Sequence, residues 1–273
     1  MNLQKYKGSG SIKLDRVATK EVQEDPKKKL KKVRRKLSDL QDTMHAEGKY
    51  GVLICLQGMD TSGKDSLIRE VLKDINATGV EVHSFKVPKA LELQHDFMWR
   101  HYIALPPKGK IGVFNRTHYE NLLVTRVHPE YIFDENIPNV DSLADLNDDF
   151  ENHFAKNGTI ILKFFLNLSK DEQKRRLLRR LNIQEKNWKF SMADLKERGV
   201  WYKYMWCYQD LLNRTSKENT PWFMIPADDK PTARLILSKI LLEELLKYNF
   251  KEPSLPAKVQ AQVEEFKAQL KNE

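Results

Sequence analysis

Residues 50–66, YGVLICLQGMDTSGKDS, are the stretch that decides the fold of this chain. Residues 52–56 form an apolar run with the length of a buried parallel strand, and the residues that follow Lys64 are apolar at helical spacing. Between the two, Gly58 and Gly63 frame a G-x-x-x-x-G-K motif, in which glycine lets backbone N–H groups turn inward around a phosphate. The start of the next helix adds a positive partial charge. The stretch therefore predicts a phosphate-binding loop between a strand and a helix.

Two carboxylates make this loop unusual. Asp65 occupies the position after Lys64 where such loops usually have a Ser or Thr, whose hydroxyl holds Mg²⁺. Asp60 lies inside the loop, where a carboxylate repels a bound phosphate unless a metal ion lies between them. We therefore expect the loop to hold a metal-bridged polyanion in an unusual way. The plainer alternative is a glycine-rich turn that only joins a strand to a helix.

Length and composition limit the kind of protein. A chain of 273 residues can bury a full core, which favours one α/β domain with appendages. No stretch is apolar enough to span a bilayer and no signal-peptide pattern opens the chain, so we expect a soluble cytoplasmic protein that does not bind membranes. Cys55 and Cys207 both lie in apolar segments, which indicates buried thiols in a reducing compartment.

The net charge of +9 is concentrated in two segments. Residues 1–49 contain 14 Lys and Arg against 7 Asp and Glu, and residues 174–203 contain 10 against 3. The rest of the chain is mildly acidic. Basic segments of this kind attract polyanions such as nucleic acid, acidic membranes or a phosphate polymer.

Apolar spacing and turn residues divide the chain into three parts. Residues 1–49 are a basic arm followed by a helix with one apolar stripe, residues 50–250 are the main domain, and residues 251–273 are a charged tail. Within the main domain, the basic segment at about residues 174–195 has the character of a lid.

Strands and helices alternate along the main domain. After the strand of the phosphate-binding loop we expect strands at residues 80–87, 110–114, 159–166 and 221–226, and a helix at residues 90–104. This alternation is typical of a three-layer α/β fold, in which a central parallel sheet has helices on both faces.

Ligands of open α/β sheets bind at the carboxyl ends of the strands. The second strand delivers Lys86 to that edge, and the third delivers Asn115, Arg116 and Glu120. In many enzymes with such a loop an Asp that helps to bind Mg²⁺ stands where this chain has Asn115, a neutral ligand at best. Asp60 must therefore provide more of the metal site, with Glu120 as the candidate for a second ligand.

Together these strand ends supply what phosphoryl transfer needs, namely backbone donors, metal-binding carboxylates and cations around the transferring group. For Arg116 we expect stabilisation of transition-state charge, and the alternative is an ion pair with a neighbouring carboxylate. The residues expected to carry catalysis are Asp60, Lys64, Asn115, Arg116 and Glu120.

The basic segment that resembles a lid contains cations on one helix and on the loop after it. A closing segment of this kind screens charge and excludes water, which prevents wasteful hydrolysis. A solvated helix face is the alternative. The expected lid residues are Arg176, Arg179, Arg180, Lys186 and Lys189.

Six blocks follow one another along the sequence: residues 58–65 (GMDTSGKD), 84–86 (SFK), 95–100 (HDFMWR), 114–120 (FNRTHYE), 186–191 (KNWKFS) and 221–230 (PWFMIPADDK). Together they resemble the polyphosphate kinase 2 family, and the resemblance spans about residues 20–250. The fourth block is similar to the branch called class III. That branch uses polyphosphate to phosphorylate both nucleoside monophosphates and nucleoside diphosphates.

The resemblance implies a P-loop kinase fold of the thymidylate-kinase type, with a mobile helical lid and an N-terminal helical extension. It also implies dependence on Mg²⁺, for which Mn²⁺ can substitute, and a homodimer or homotetramer. By this resemblance the loop grips inorganic polyphosphate, and Asp60 holds Mg²⁺ and orients the acceptor phosphate. The residues implied to bind phosphate are Gly58, Gly63, Lys64, Asp65, Lys86, Arg100 and Arg116.

Three functions compete at this point. The leading one is reversible phosphoryl transfer from polyphosphate to AMP and ADP, which makes ADP and ATP. The second is an ATP-dependent nucleoside monophosphate kinase, against which Asp65 and the amount of basic charge argue. The third is a nucleic-acid-binding protein with a P-loop, but no recognition module is visible, so we expect no nucleic-acid partner.

Overall fold

The computed structural model describes residues 1–8, 10–131, 139–189 and 191–272. Five strands form one sheet in these residues: β1 (Gly51–Gln57), β2 (Val80–His83), β3 (Ile111–Asn115), β4 (Thr159–Asn167) and β5 (Trp222–Pro226). All neighbouring strands are parallel, in the order β2–β3–β1–β4–β5. The strand of the phosphate-binding loop is therefore the central one.

Helices connect the strands and cover both faces of the sheet. In the described residues they are α1 (Pro26–Glu47), α2 (Lys64–Val71), α3 (Trp99–Tyr102), α4 (Glu120–Val127), α5 (Val140–Lys156), α6 (Lys170–Asn182), α7 (Met192–Gly199), α8 (Trp201–Thr215), α9 (Lys230–Leu246), α10 (Ala257–Ala261) and α11 (Val263–Lys271). None of these helices has the length and apolarity that a membrane span requires.

The central strand shows why the layers form. Every residue of β1 is buried, because alternate side chains enter two different cores. Val52 and Ile54 pack in the core that contains α1, α2 and α9, and Leu53 and Cys55 pack in the core on the α5 side of the sheet. A second cluster on that side contains α4 and α8. The predicted α/β fold with a central parallel sheet is confirmed.

The N-terminal arm lies against the domain. Leu3, Tyr6, Ile12 and Leu14 are buried, and Lys7 forms an isolated antiparallel bridge with Phe223 of β5. After the arm, α1 packs along α9 through its apolar stripe. The basic face of α1 remains turned away from the core.

The segment between β2 and β3 differs from the sequence expectation. The helix expected at residues 90–104 is wrong as a single element, because only a 3₁₀ turn at Glu92–Gln94 and the short α3 form. Side chains of this segment bond to nearby backbone N–H groups instead, and such bonds compete with a helix. Glu92 accepts from the N–H of Lys89, and Asp96 accepts from that of Met98.

The strand expected at residues 80–87 also ends early, at His83. The edge strand β2 pairs only with β3, and the last pair of the two strands is His83 with Phe114. The chain that follows, including Lys86, therefore leaves the sheet and forms a wall above its carboxyl edge.

Candidate active site

The loop between β1 and α2 has the tight backbone that the glycines predicted. Gly58 has φ of 148° and Gly63 has φ of 107°, which are values that favour glycine. A Cβ placed on Gly58 would lie 2.9 Å from the carbonyl oxygen of Leu166, so a side chain does not fit there. The loop thus passes close over the end of β4, and α2 begins directly after it.

The side chain of Lys64 folds back across this loop. Its ammonium donates to the carbonyl oxygen of Gly58 at 2.6 Å. Burial lowers the pKa of Lys64, while the nearby carboxylates of Asp60 and Glu120 act in the opposite direction. An ammonium held at a site shielded from water attracts a phosphate more strongly than it would in bulk solvent.

Asp65 and Asn115, the two residues that depart from the usual motif, contact each other. Asn115 Nδ2 donates to Asp65 Oδ1 at 2.6 Å, across the gap between β3 and α2. Asn115 Oδ1 is buried and meets no hydrogen-bond donor within the described ranges. The carboxylate therefore stands on α2 and the neutral group on β3, whereas the usual motif has a hydroxyl and a carboxylate in these places.

Arg116 and Asp60 face each other at the mouth of the loop. Arg116 Nη2 lies 3.5 Å from Asp60 Oδ1, and the two side chains are 46% and 36% exposed. A pair this long and this open adds little stability, so both groups can turn to a ligand. Arg116 also has a positive φ of 68°, a strained value for a residue with a side chain.

Glu120 begins α4 behind this pair. Gln57, the last residue of β1, donates to Glu120 Oε1 at 3.2 Å and to Thr117 Oγ1 at 3.1 Å. Burial raises the pKa of Glu120, although Arg116 and Lys64 oppose the shift. The sequence offered no signal for Gln57, because an amide at the end of an apolar strand resembles many turn residues.

The residues at the loop fit a magnesium ion in part. Across the described ranges no three His, Cys, Asp or Glu side chains form a metal cluster. Mg²⁺ in phosphoryl-transfer sites needs only one or two carboxylates, since substrate phosphates and waters complete its shell. The exposed carboxylate of Asp60 meets that need, and the orphaned oxygen of Asn115 offers a neutral acceptor. Glu120 fits less well, because its burial favours the protonated form.

A cavity of about 330 Å³ opens beside Arg116 and Glu120. Arg100 forms part of its wall, where its guanidinium donates to the Lys86 carbonyl oxygen at 2.7 Å and lies over the ring of Phe85. The wall is mostly apolar. Its lining residues are Phe85, Lys86, Val87, Pro88, Glu92, Leu93, His95, Asp96, Phe97, Arg100, Arg116, Glu120, Asn121, Val124 and Thr125.

Arg176 differs from the sequence expectation of a lid residue. It is buried and donates to the carbonyl oxygens of Thr61 and Ser62 at 2.9 Å each, and to those of Ala227 and Asp228 at 2.7 and 3.0 Å. All these acceptors are backbone oxygens of the phosphate-binding loop and of the turn after β5. The side chain therefore fixes the loop from below and is not available to a closing lid.

The other expected lid residues have different places. Arg179 is exposed on α6, and Arg180 on the same helix forms an ion pair with Asp194 of α7 at 3.1 Å. The side chains of Lys186 and Lys189 lie outside the described part of the chain. The three expected lid residues on α6 thus divide into Arg176, which holds the loop, and Arg179 and Arg180, which lie nearer to solvent.

A buried polar network that the sequence analysis did not identify supports the segment after β3. Lys163 of β4 donates to Glu151 at 2.7 Å and to the hydroxyl of Tyr119 at 3.1 Å, and that hydroxyl donates to the other oxygen of Glu151. His118 is fully buried, with Nε2 3.4 Å from Glu151. His118 therefore packs behind the site and does not face a phosphate.

Known proteins resemble this chain along most of its length. The family model for polyphosphate kinase 2 matches residues 20–253. An ADP-polyphosphate phosphotransferase of Rhodopseudomonas palustris is 48% identical over 227 residues, which are 80% of this chain and 78% of that protein. An AMP/ADP-polyphosphate phosphotransferase of Meiothermus ruber is 42% identical over 214 residues, which are 77% of this chain and 78% of that protein.

The solved structures agree with the sequence relatives. The crystal structure of polyphosphate kinase 2 from Arthrobacter aurescens matches with a TM-score of 0.88 at 34% identity and covers 96% of both chains. The predicted P-loop kinase fold is thereby confirmed, and the family match includes the phosphate-binding loop, Asn115 and Arg116. This chain belongs to the polyphosphate kinase 2 family of phosphotransferases.

Proposed function

We propose that this protein transfers a phosphoryl group from inorganic polyphosphate to AMP and ADP, and catalyses the reverse reaction. Phosphoryl transfer between polyphosphate and nucleotides follows from its family and from the names of its relatives. The assignment of the two substrate sites rests on one observation, which is that the phosphate-binding loop and the cavity share Arg116. Arg116 lies beside Asp60 of the loop and also lines the cavity.

The loop is the site for the donor. The start of α2 follows the loop directly, and the ammonium of Lys64 lies over the loop at the Gly58 carbonyl oxygen, an arrangement that suits a phosphate. A phosphate there takes over the hydrogen bond that Lys64 now gives to Gly58. The paired Asp65 and Asn115 hold the base of the loop in place.

The cavity is the site for the acceptor nucleotide. Its volume lies at the lower end of the range of small-molecule sites, and its apolar wall suits a flat nucleobase better than a polyanion. Lys86 and Arg100, which the resemblance implies to bind phosphate, both line this cavity. We therefore assign them to the acceptor side, where they balance nucleotide phosphates near Arg116.

Transfer between the two sites needs alignment and charge neutralisation rather than a protein nucleophile. Lys64 and Arg116 stabilise the negative charge on the transferring group, and Asp60 is the residue that would hold Mg²⁺, with Mn²⁺ as a substitute. When bound, that ion neutralises phosphate charge and orients the oxygens. Exposed cations of α6, such as Arg179, belong to a lid that screens the reaction from water.

Several finer points stay predictions. They are the homodimer or homotetramer, the cytoplasmic location and the absence of nucleic-acid and membrane partners. The ATP-dependent nucleoside monophosphate kinase is not favoured, because the relatives are named for polyphosphate.

The decisive experiment supplies AMP or ADP, Mg²⁺ and a single donor, either long-chain polyphosphate or ATP. We expect ADP and ATP to form with polyphosphate, and Lys64→Ala to lower kcat by about 10²–10³-fold, because it removes a donor to the charged transition state. Lys108→Ala is the matched control, since Lys108 is exposed before β3 at the opposite edge of the sheet. Near-normal turnover in Lys64→Ala, or phosphoryl transfer from ATP only, contradicts the proposal.

A further inference from the structure

A basic cleft lies on the opposite side of the phosphate-binding loop from the acceptor cavity. The cavity is reached from β3 and β2, whereas this cleft lies between the loop and α9, on the side of β4 and β5. Its open volume is only about 10 Å³. It is lined by Ser62, Gly63, Ser66, Leu67, Leu166, Ala227, Lys230, Ala233 and Arg234.

Two cations of α9, Lys230 and Arg234, border this cleft. Lys230 begins the helix, and its Cε lies 3.7 Å from where a Cβ on Gly63 would stand. Arg234 follows one turn later on the same face, and its Nε is buried with no hydrogen-bond partner among the described residues. Neither side chain has an ion pair in the described part of the chain.

The surroundings of Lys230 disfavour its positive charge. Burial and the guanidinium groups of Arg176, Arg234 and Arg179 lower the pKa of Lys230 to about 8, and Glu172 acts weakly against them. Glu172 is already bound to Arg176 at 2.6 Å. A cation in the first turn of a helix is also unfavourable to the helix dipole. The carboxylate nearest in effect to Arg234 is that of Glu70, whose ion pairs are with Arg34 and Arg69. Both carboxylates are therefore shared with other cations, and a bound polyanion would compensate Lys230 and Arg234 directly.

We propose that Lys230 and Arg234 form a subsite for the phosphates of the polyphosphate chain that follow the transferred one. This inference rests on the proposed function, in which the loop holds the donor. The chain then leaves the loop along α9, away from the acceptor. Arg176 is not part of the subsite, because its donors are used by backbone carbonyl oxygens.

The same cleft accounts for the choice of donor. A volume of about 10 Å³ holds roughly one water molecule, so the nucleoside of an ATP donor cannot enter beside Gly63. A flexible phosphate chain needs no pocket and can lie along the cations at the rim. Lys230 and Arg234 thus select a polymer of phosphate over a nucleoside triphosphate on this side of the loop.

The test compares donors of different length in the variants K230M and R234M. We expect the KM for long-chain polyphosphate to rise roughly tenfold in each variant, because each loses one charged contact, with little change in kcat. The KM for tripolyphosphate changes less than about twofold, since three phosphates are held mainly by the loop. K230R keeps the charge and restores the low KM. K239M removes the same charge further along α9 and leaves every constant unchanged.

Direct titration of each protein with long-chain polyphosphate, in the absence of nucleotide, separates this inference from the proposed function. Weaker binding by K230M and R234M than by K239M supports the subsite even if turnover with polyphosphate fails. Equal binding by all variants, or equal changes in KM for long and short donors, overturns it. The melting temperature of each variant confirms that the fold is intact.

Discussion

The most demanding test of the structure is the replacement of Lys163 with Met. The ammonium of Lys163 is fully buried in β4 and donates to Glu151, to the hydroxyl of Tyr119 and to the carbonyl oxygen of Thr215. Met keeps most of the length and the apolar stem of Lys163 but removes the charge. Glu151, which is 1% exposed, is then left as an uncompensated buried carboxylate.

The expected loss of stability follows from the pKa of Glu151. Burial raises this pKa, but Lys163 and His118 lower it by more than burial raises it. The net result is a pKa of about 2, compared with the ordinary value of 4.5. A pKa shift of that size corresponds to about 3 kcal/mol, and removal of one partner of a buried ion pair typically costs about 3–5 kcal/mol. We therefore expect Lys163→Met to lower the free energy of unfolding at pH 7 by about 3–5 kcal/mol, and the melting temperature by roughly 6–20 °C.

The dependence on pH has a definite sign. Because the folded-state pKa of Glu151 is depressed, its stabilising contribution is complete above about pH 4.5 and is lost as the pH falls towards 2. In Lys163→Met burial raises the pKa of Glu151 with less to oppose it, so the variant regains stability on protonation. The difference in unfolding free energy between the wild-type protein and Lys163→Met therefore begins to narrow above pH 4.5 and continues to narrow as the pH falls towards 2. Glu151→Gln combined with Lys163→Met recovers part of the loss, since no charge remains buried.

Chemical denaturation followed by circular dichroism measures these differences. Lys267→Met is the matched control, because Lys267 also lies 2.7 Å from a carboxylate, that of Glu264, but the two side chains are 58% and 84% exposed. An exposed pair contributes only about 0–1 kcal/mol, so the control stays close to wild type. If Lys163→Met loses no more stability than Lys267→Met, the buried network does not stabilise the fold as argued.

Two further substitutions test the base of the phosphate-binding loop. Asn115→Asp places a second carboxylate against Asp65, so we expect kcat to fall about 10–100-fold through repulsion at the loop, and to recover in part when Asp65→Ser is added. Unchanged kcat in Asn115→Asp would rule out the pairing as a support of the site. Arg176→Met releases four backbone carbonyl oxygens, so we expect faster amide hydrogen exchange at residues 58–64 and a higher KM for polyphosphate. Unaltered exchange in that loop would refute the role of Arg176.

The parts of the structure that depend on local sequence were predictable. The strand, loop and helix around Gly58 and Gly63 follow from short-range apolar spacing and from the backbone freedom of glycine, and the structure has them in place. The helix expected at residues 90–104 failed for an equally local reason. The side chains of Glu92 and Asp96 accept hydrogen bonds from backbone N–H groups within three residues. Such bonds compete with the helix, and the spacing of apolar residues gives no information about them.

The residues that hold the site in place were not predictable, because the groups they contact are distant in sequence and many of them are backbone carbonyl oxygens. Arg176 contacts backbone oxygens more than fifty residues away at Asp228 and more than a hundred away at Thr61, and carbonyl oxygens have no sequence signature. Lys163 did carry a signal. A single lysine in an apolar strand is costly unless it is paired, so a buried partner was to be expected. Which carboxylate it meets, Glu151, depends on how α5 packs on β4.

In the proposed function, donor and acceptor lie on opposite sides of one loop, and the order of the strands accounts for this arrangement. Because β1 is central, the loop after it has β3 and β2 on one side and β4 and β5 on the other. On the first side the chain builds a cavity with apolar walls, which a nucleobase requires. On the second side it leaves a narrow cleft with Lys230 and Arg234 at its border, which is too small for a nucleoside and which we propose as the path of the phosphate chain. In the proposed function, a kinase that uses ATP as its donor needs room for a nucleoside on this second side as well. The small cleft and its cations therefore act together with Asp65 of the loop to disfavour a nucleotide donor.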